Sequence, residues 1–174
     1  MLGLHLRGKS ADEPAVEEQL PAAAGPSEVV VVRLGGSRYA LPMDAVAEVG
    51  RPPSLTRVPG LPSWLAGVAN WRGRVLAVLD LRPLLAAPLG PFDRRARLVV
   101  LHRNAVSVGL LIEGVEGTHL LADEQVEPSL AHLPGSASEL LAGQVTDADG
   151  PCGVLDLEAV FRLAEALPRA RRAG

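Results

Sequence analysis

Cysteine, aromatic side chains and long apolar runs are all scarce in this 174-residue chain, and each scarcity removes a class of function. The lone Cys152 excludes an internal disulfide, and beside four scattered histidines it leaves no zinc-ligand spacing. Two tryptophans, one tyrosine and two phenylalanines are too few to build an aromatic groove for single-stranded nucleic acid, and a net charge of -3 gives no global attraction to phosphate. No uncharged apolar stretch approaches the roughly 20 residues that cross a bilayer, so direct membrane insertion is not expected. The opening MLGLHLRGKS carries charge without the apolar run of an export signal, and a reducing cytoplasm is the expected location. A Walker loop, a Gly-x-Ser-x-Gly elbow and paired Cys and His are also missing, so neither an enzyme nor a bound cofactor is expected.

A hydrophobic content of 48% is ample for a core, either in one domain or in two small joined ones. Sixteen of the seventeen basic residues are arginine, so any basic contact is local. Residues 1–27 mix Asp12, Glu13, Glu17 and Glu18 with Pro, Ala and Gly, which reads as a tail with at most a helical turn over 15–20. From Glu28 the run VVVVRL, the turn GGS and the alternating RYALP spell a β-hairpin. MDAVAEV fits a helical turn or a strand, and the proline-rich RPPSLTRVPGLP predicts a loop over the core. PSWLAG reads as one helical turn, and GRVLAVLDL as a strand ending at Asp80, where Asp80 or Leu81 caps a short helix holding Pro83. DLEAVFRLAEAL sets Leu157, Val160, Phe161, Ala164 and Leu167 at helical spacing, predicting a terminal helix that ends at Pro168 before an arginine-rich tail over 168–174.

The body repeats itself. LAG at 65–67 recurs at 141–143 and VLDL at 78–81 recurs at 154–157, both 76 residues later. VVVVRL at 29–34 and LVVLHR at 98–103 lie 69 apart, as do Tyr39 and Val108, Leu41 and Leu110, Val46 and Val115. The difference places a seven-residue insertion near LADEQVEPSLAHLPGS. Two related halves, about 29–88 and 97–164, built of short strands and Pro/Gly-rich loops, favour an all-β pair of small barrels burying apolar surface against each other.

This repeat is an internal control. NWRG at 70–73 corresponds to TDAD at 146–149, so Trp71 and Arg72 occur in one half only, on the turn before a buried strand. Arginine is favoured at interfaces because its planar fork pairs with carboxylates and is weakly hydrated. Glu48, a single acid inside AVAEV, is the matching candidate of opposite charge. Asp80 and Asp156 occupy equivalent strand ends, where capping accounts for them without catalysis.

YALPMDAVAEV, LTRVPGLPSWLAGVANWRGRVLAVLDL, VGLLIEGVEG, LLAG and VLDLEAVF, in that order, resemble the CheW-like coupling proteins of bacterial chemosensory arrays. The likeness runs from about Glu28 to Leu167. It implies two intertwined five-stranded SH3-like β-barrels on a common core, with short helices and a C-terminal helix. It also implies an adaptor that binds the regulatory domain of a CheA-type histidine kinase, the cytoplasmic tip of a methyl-accepting chemoreceptor, and other CheW-like domains. Such a protein is recruited to the inner face of the membrane through receptors. Val46, Glu48, Val49, Gly67 and Arg72 match positions in the family's partner-binding surfaces, and Trp71 stands where the family commonly has an aliphatic residue. A pathway with pilus, gliding or another non-flagellar output is the alternative, and a single-stranded nucleic-acid-binding barrel is the rival of another class.

Overall fold

The strand Ser27–Leu34 (β1) buries Val29, Val30, Val31 and Val32 together, so both of its faces are covered by protein. A computed structural model describing residues 25–128 and 135–168 shows how. Val30, Val32 and Leu34 face a large central core, while Val29 and Val31 face a smaller one with Ala40, Cys152 and Val154. The period of two along a strand thus sorts one apolar run into two cores. Leu98 to Leu101 repeat the pattern: Val99 and Leu101 enter the central core, whereas Leu98 and Val100 join Ala69, Leu76, Val78 and Leu111 in a third.

The remaining strands are Ser37–Pro42 (β2), Val46–Gly50 (β3), Leu65–Trp71 (β4), Arg74–Leu79 (β5), Arg97–Arg103 (β6), Val106–Ile112 (β7), Gly114–Leu121 (β8), Leu141–Asp147 (β9) and Gly150–Leu155 (β10). They form two five-stranded sheets, ordered β8-β1-β2-β10-β9 and β3-β6-β7-β5-β4. Each sheet curls around its own small core, and the central core lies between the two barrels. We call them barrel A and barrel B in that order.

The sheets do not divide along the sequence repeat. Barrel A combines the hairpin β1–β2 of the first half with β8, β9 and β10 of the second, and barrel B combines β6–β7 with β3, β4 and β5. The seams are the parallel pairs β2–β10, with Gly153 opposite Tyr39, and β5–β7, with Val78 opposite Gly109. Each half contributes a hairpin to one barrel and three strands to the other, so neither barrel closes without both halves.

Local departures from the sequence expectations have physical causes. PSWLAG makes only a turn, closed by Leu65 N–H donating to Pro62 O at 3.0 Å, because Leu65 already pairs with Leu79 in β4. Residues 81–87 form consecutive turns and no helix. Asp80 is drawn instead to Arg82, whose Nε and Nη2 donate to it at 2.9 and 2.8 Å. Arg82 is buried, donates from Nη1 to Gly90 O at 2.8 Å and lies 3.8 Å over the Phe92 ring, pinning the loop before β6. The equivalent Asp156 does cap a helix, Leu157–Glu165 (α2), accepting from Glu158 N and Ala159 N. That helix seats Leu157, Val160 and Phe161 on the central core. MDAVAEV resolves into a 3₁₀ turn over Met43–Ala45 followed by β3, and a short helix Gly135–Glu139 (α1) sits in the insertion. The helical turn expected over 15–20 and the arginine-rich 169–172 lie outside the described residues. Among the described residues no helix is long and apolar enough to cross a membrane.

Candidate partner-binding site

The turn between β4 and β5 carries Arg72 at φ 52° and Gly73 at φ 83°. Both central residues therefore have positive φ, the condition for the tight turn that matches strand twist. Gly73 meets it freely, and Asn70 Oδ1 accepts the Gly73 N–H at 2.9 Å. Arg72 is left on the outermost point of barrel B, 75% exposed.

Trp71 points the other way, like Ala69 two residues before it, onto the small core of barrel B. Its ring covers Gly50, where an added Cβ would lie 2.8 Å from Trp71 Cη2. Its Nε1–H donates to Glu48 Oε2 at 2.6 Å, and Arg72 Nη2 lies 2.7 Å from Glu48 Oε1. The last residues of β4 are thereby tied to β3, the opposite edge of the same sheet, and the barrel closes. One carboxylate holds both an indole and a guanidinium, so residues 23 and 24 positions apart in the chain form a single surface unit.

Around this unit the other candidates separate. Val49 projects outward at 46% exposed, while Val46 turns inward onto the central core. Gly67 is buried at φ 152°, and a Cβ there would lie 2.6 Å from Thr56 O. It permits the Thr56–Val68 bridge, with N···O distances of 2.8 and 2.9 Å, that straps the proline-rich loop to β4. Gly143 does the same under Glu127, so this close approach belongs to both repeats. Val75, 80% exposed on β5, is an apolar surface residue that sequence reasoning missed; it sits opposite Asn70, and nothing in a strand-like RVLAVL marks its first valine as outward.

Between Glu48, Trp71 and the β6–β7 turn lies an open groove of about 560 Å³, floored by Leu76 and Val100 and edged by Arg74 and His102. The equivalent end of barrel A is filled. Arg38, at the position of Ser107, is buried there and donates to Asp147 at 2.8 and 3.0 Å and to Glu116 at 2.8 Å. Asp147 is held down to about 2 by the Arg38 guanidinium, and Glu116 is lowered by Arg38 and Arg33 together. The same barrel end is thus plugged by an ionic network in one repeat and open over an apolar floor in the other. Chemically, the open end can take an apolar side chain while offering one acid and two arginines at its edge.

A model of the CheW-like domain matches residues 28–165. The chain belongs to the CheW-like domain family. Protein PilI of Pseudomonas aeruginosa is 35% identical over 131 residues, covering 73% of this chain and 71% of that protein. Chemotaxis protein CheW of Klebsiella aerogenes is 28% identical over 116 residues, covering 67% and 70%. Among solved structures, the scaffolding protein TtCheW from Thermoanaerobacter tengcongensis has the same fold, with a TM-score of 0.68 at 22% identity over 76% of this chain and 85% of that one. The chain is a CheW-like scaffold of the chemosensory type, built on paired SH3-like barrels.

Proposed function

We propose that this CheW-like chain joins the regulatory domain of a CheA-type histidine kinase to the cytoplasmic tip of a methyl-accepting chemoreceptor, without catalysis of its own. In this reading it works in the cytoplasm, at the inner face of the membrane where receptors recruit it, and residues 28–167 are its working unit. One of the two partners docks at the end of barrel B formed by Glu48, Trp71 and Arg72, with Val49 beside it, and leaves the rest of the surface to the other. The observation that supports this most is the contrast between the two barrel ends: fold closure is served equally by the buried Arg38 network, so closure alone does not call for an open, apolar-floored groove edged by Glu48 and Arg72. An apolar side chain of the partner fills the groove, and the paired charges set register and reject partners of the wrong sign. Val46 and Gly67 act from beneath, by holding β3 and the 51–57 loop in place. Two partners gripping one rigid body are coupled only to the extent that their contacts differ between signalling states.

The test is a bridging capture. Receptor-tip fragments on beads retain the kinase regulatory domain when this chain is added and do not retain it without the chain. Retention of neither partner removes the adaptor reading for that receptor and kinase. The similarity to PilI supports a second version of the same role, an adaptor of a pathway with an output other than flagella; bridging confined to a receptor and kinase from such a gene cluster selects it.

A further inference from the structure

The far end of each barrel is also open, and there the two repeats differ in charge. In barrel A the opening, about 820 Å³, has Val29, Leu121 and Val154 at its floor and Glu28, Asp44 and Asp123 on its rim. None of its described lining residues is basic. The equivalent opening of barrel B has Leu55, Phe92 and Leu111 at its floor, but its rim carries Arg51, Arg57 and Arg94 beside Asp93. The equivalence is structural, because Leu55 stands against Gly67 as Val126 stands against Gly143. Two mouths at equivalent places in the barrels therefore favour ligands of opposite charge.

The chain itself holds a segment matched to the acidic mouth. Leu2, Leu4 and Leu6 alternate along LGLHLRGK, so an extended conformation puts all three on one face, and Arg7 and Lys9 follow them. The chain enters the fold at Ser27, which itself lines the acidic mouth. Seventeen residues lie between Lys9 and Ser27, a reach of up to about 60 Å when extended, far more than is needed to return to a mouth at the entry point. A tether of that length gives an effective concentration in the millimolar range, so weak contacts suffice. Rival segments fit less well. The acidic Asp12 to Glu18 stretch has the wrong sign for this rim, and the arginines at 169–172 lack apolar side chains for the floor.

We propose that residues 2–9 dock in cis on the acidic mouth of barrel A, with leucines on the Val29, Leu121 and Val154 floor and Arg7 and Lys9 against Glu28, Asp44 and Asp123. The docked segment occupies one whole barrel end, so anything else that binds there must first displace it. This inference concerns the end of barrel A and stands apart from the role proposed for Glu48 and Arg72.

A spin label at Ser10→Cys tests it in the full chain. Cys152 stays unlabelled, being 2% exposed with a thiol pushed up by burial. The expected result is paramagnetic broadening concentrated on the methyls of Val29, Leu121 and Val126, unchanged on dilution. It is lost in Asp44→Lys/Asp123→Lys and returns when Arg7→Glu/Lys9→Glu is added to that variant. Asp44→Asn/Asp123→Asn, which keeps side-chain size, gives a smaller loss of the same kind. Both rim residues are exposed, so the fold is retained. Uniform broadening, broadening at Leu55 and Leu111, broadening that survives rim reversal, or broadening that appears only between labelled and unlabelled copies overturns the proposal.

Discussion

Trp71 donates its indole N–H to Glu48 at 2.6 Å, joining the two edge strands of barrel B through the same carboxylate that receives Arg72. The tryptophan faces the barrel and the arginine faces solvent, so neighbouring residues divide closure and display between them.

That division predicts graded losses for two changes at Trp71. Trp71→Ala removes a ring packed on Gly50 and a charge-assisted hydrogen bond, and costs about 3 kcal/mol of stability in urea unfolding. Trp71→Phe keeps most of the ring contact and costs about 1 kcal/mol. Equal losses would mean that the bond to Glu48, and not the ring, is all that closes the barrel.

Gly67→Ala and Gly143→Ala each drive a methyl into a backbone carbonyl, at 2.6 Å from Thr56 O and 2.7 Å from Glu127 O. Each is expected to cost about 2 kcal/mol or more, with Gly67→Ala the worse because its φ is also positive. Thermal melts of the two variants check the order. A normal melt for Gly67→Ala would move its role from the fold to the surface.

Stability falls on acidification through the Arg38 network. Asp147 titrates at about 2, below its ordinary value of 3.8, and Glu116 is also lowered, so the unfolded chain binds more protons than the folded one in this range. Stability from these carboxylates is complete only above about pH 5, beyond both ordinary values, and drains away as pH falls toward 2. Arg38→Met removes the largest cause of both shifts, leaving Arg33 beside Glu116, and its urea midpoint is expected to vary less between about pH 5 and pH 2 than that of the wild type. An unchanged acid slope would place the titrating groups elsewhere.

The strands and their repeat were legible in the sequence because alternation and turn residues are local signals. VVVVRL and LVVLHR are visibly alike, yet likeness does not say which strands pair, and the exchange of hairpins between halves emerges only from the parallel seams at Gly153 and Val78. VLDL at 78–81 and 154–157 reads the same twice, but the residue two places after the aspartate decides its fate: Arg82 takes the carboxylate, whereas Glu158 leaves it free to cap α2. Arg38 was illegible as a buried group, since its partners lie 78 and 109 residues away. At the candidate site, Glu48 and Arg72 stood out as isolated charges, while the bond that ties Trp71 to Glu48 depends on Gly50 leaving room for the ring.

The central claim is that Arg72 serves a partner and not the fold. Its pair with Glu48 is largely exposed and adds little stability, about 1 kcal/mol at most. Calorimetric titration of wild type and Arg72→Asp against the kinase regulatory domain and the receptor-tip fragment, with melts run alongside, tests it most directly. The account predicts a loss of about 2 kcal/mol or more, roughly thirtyfold, toward at least one partner with melting nearly unchanged. Unchanged affinity for both partners, or a variant that loses binding only because it unfolds, would contradict it.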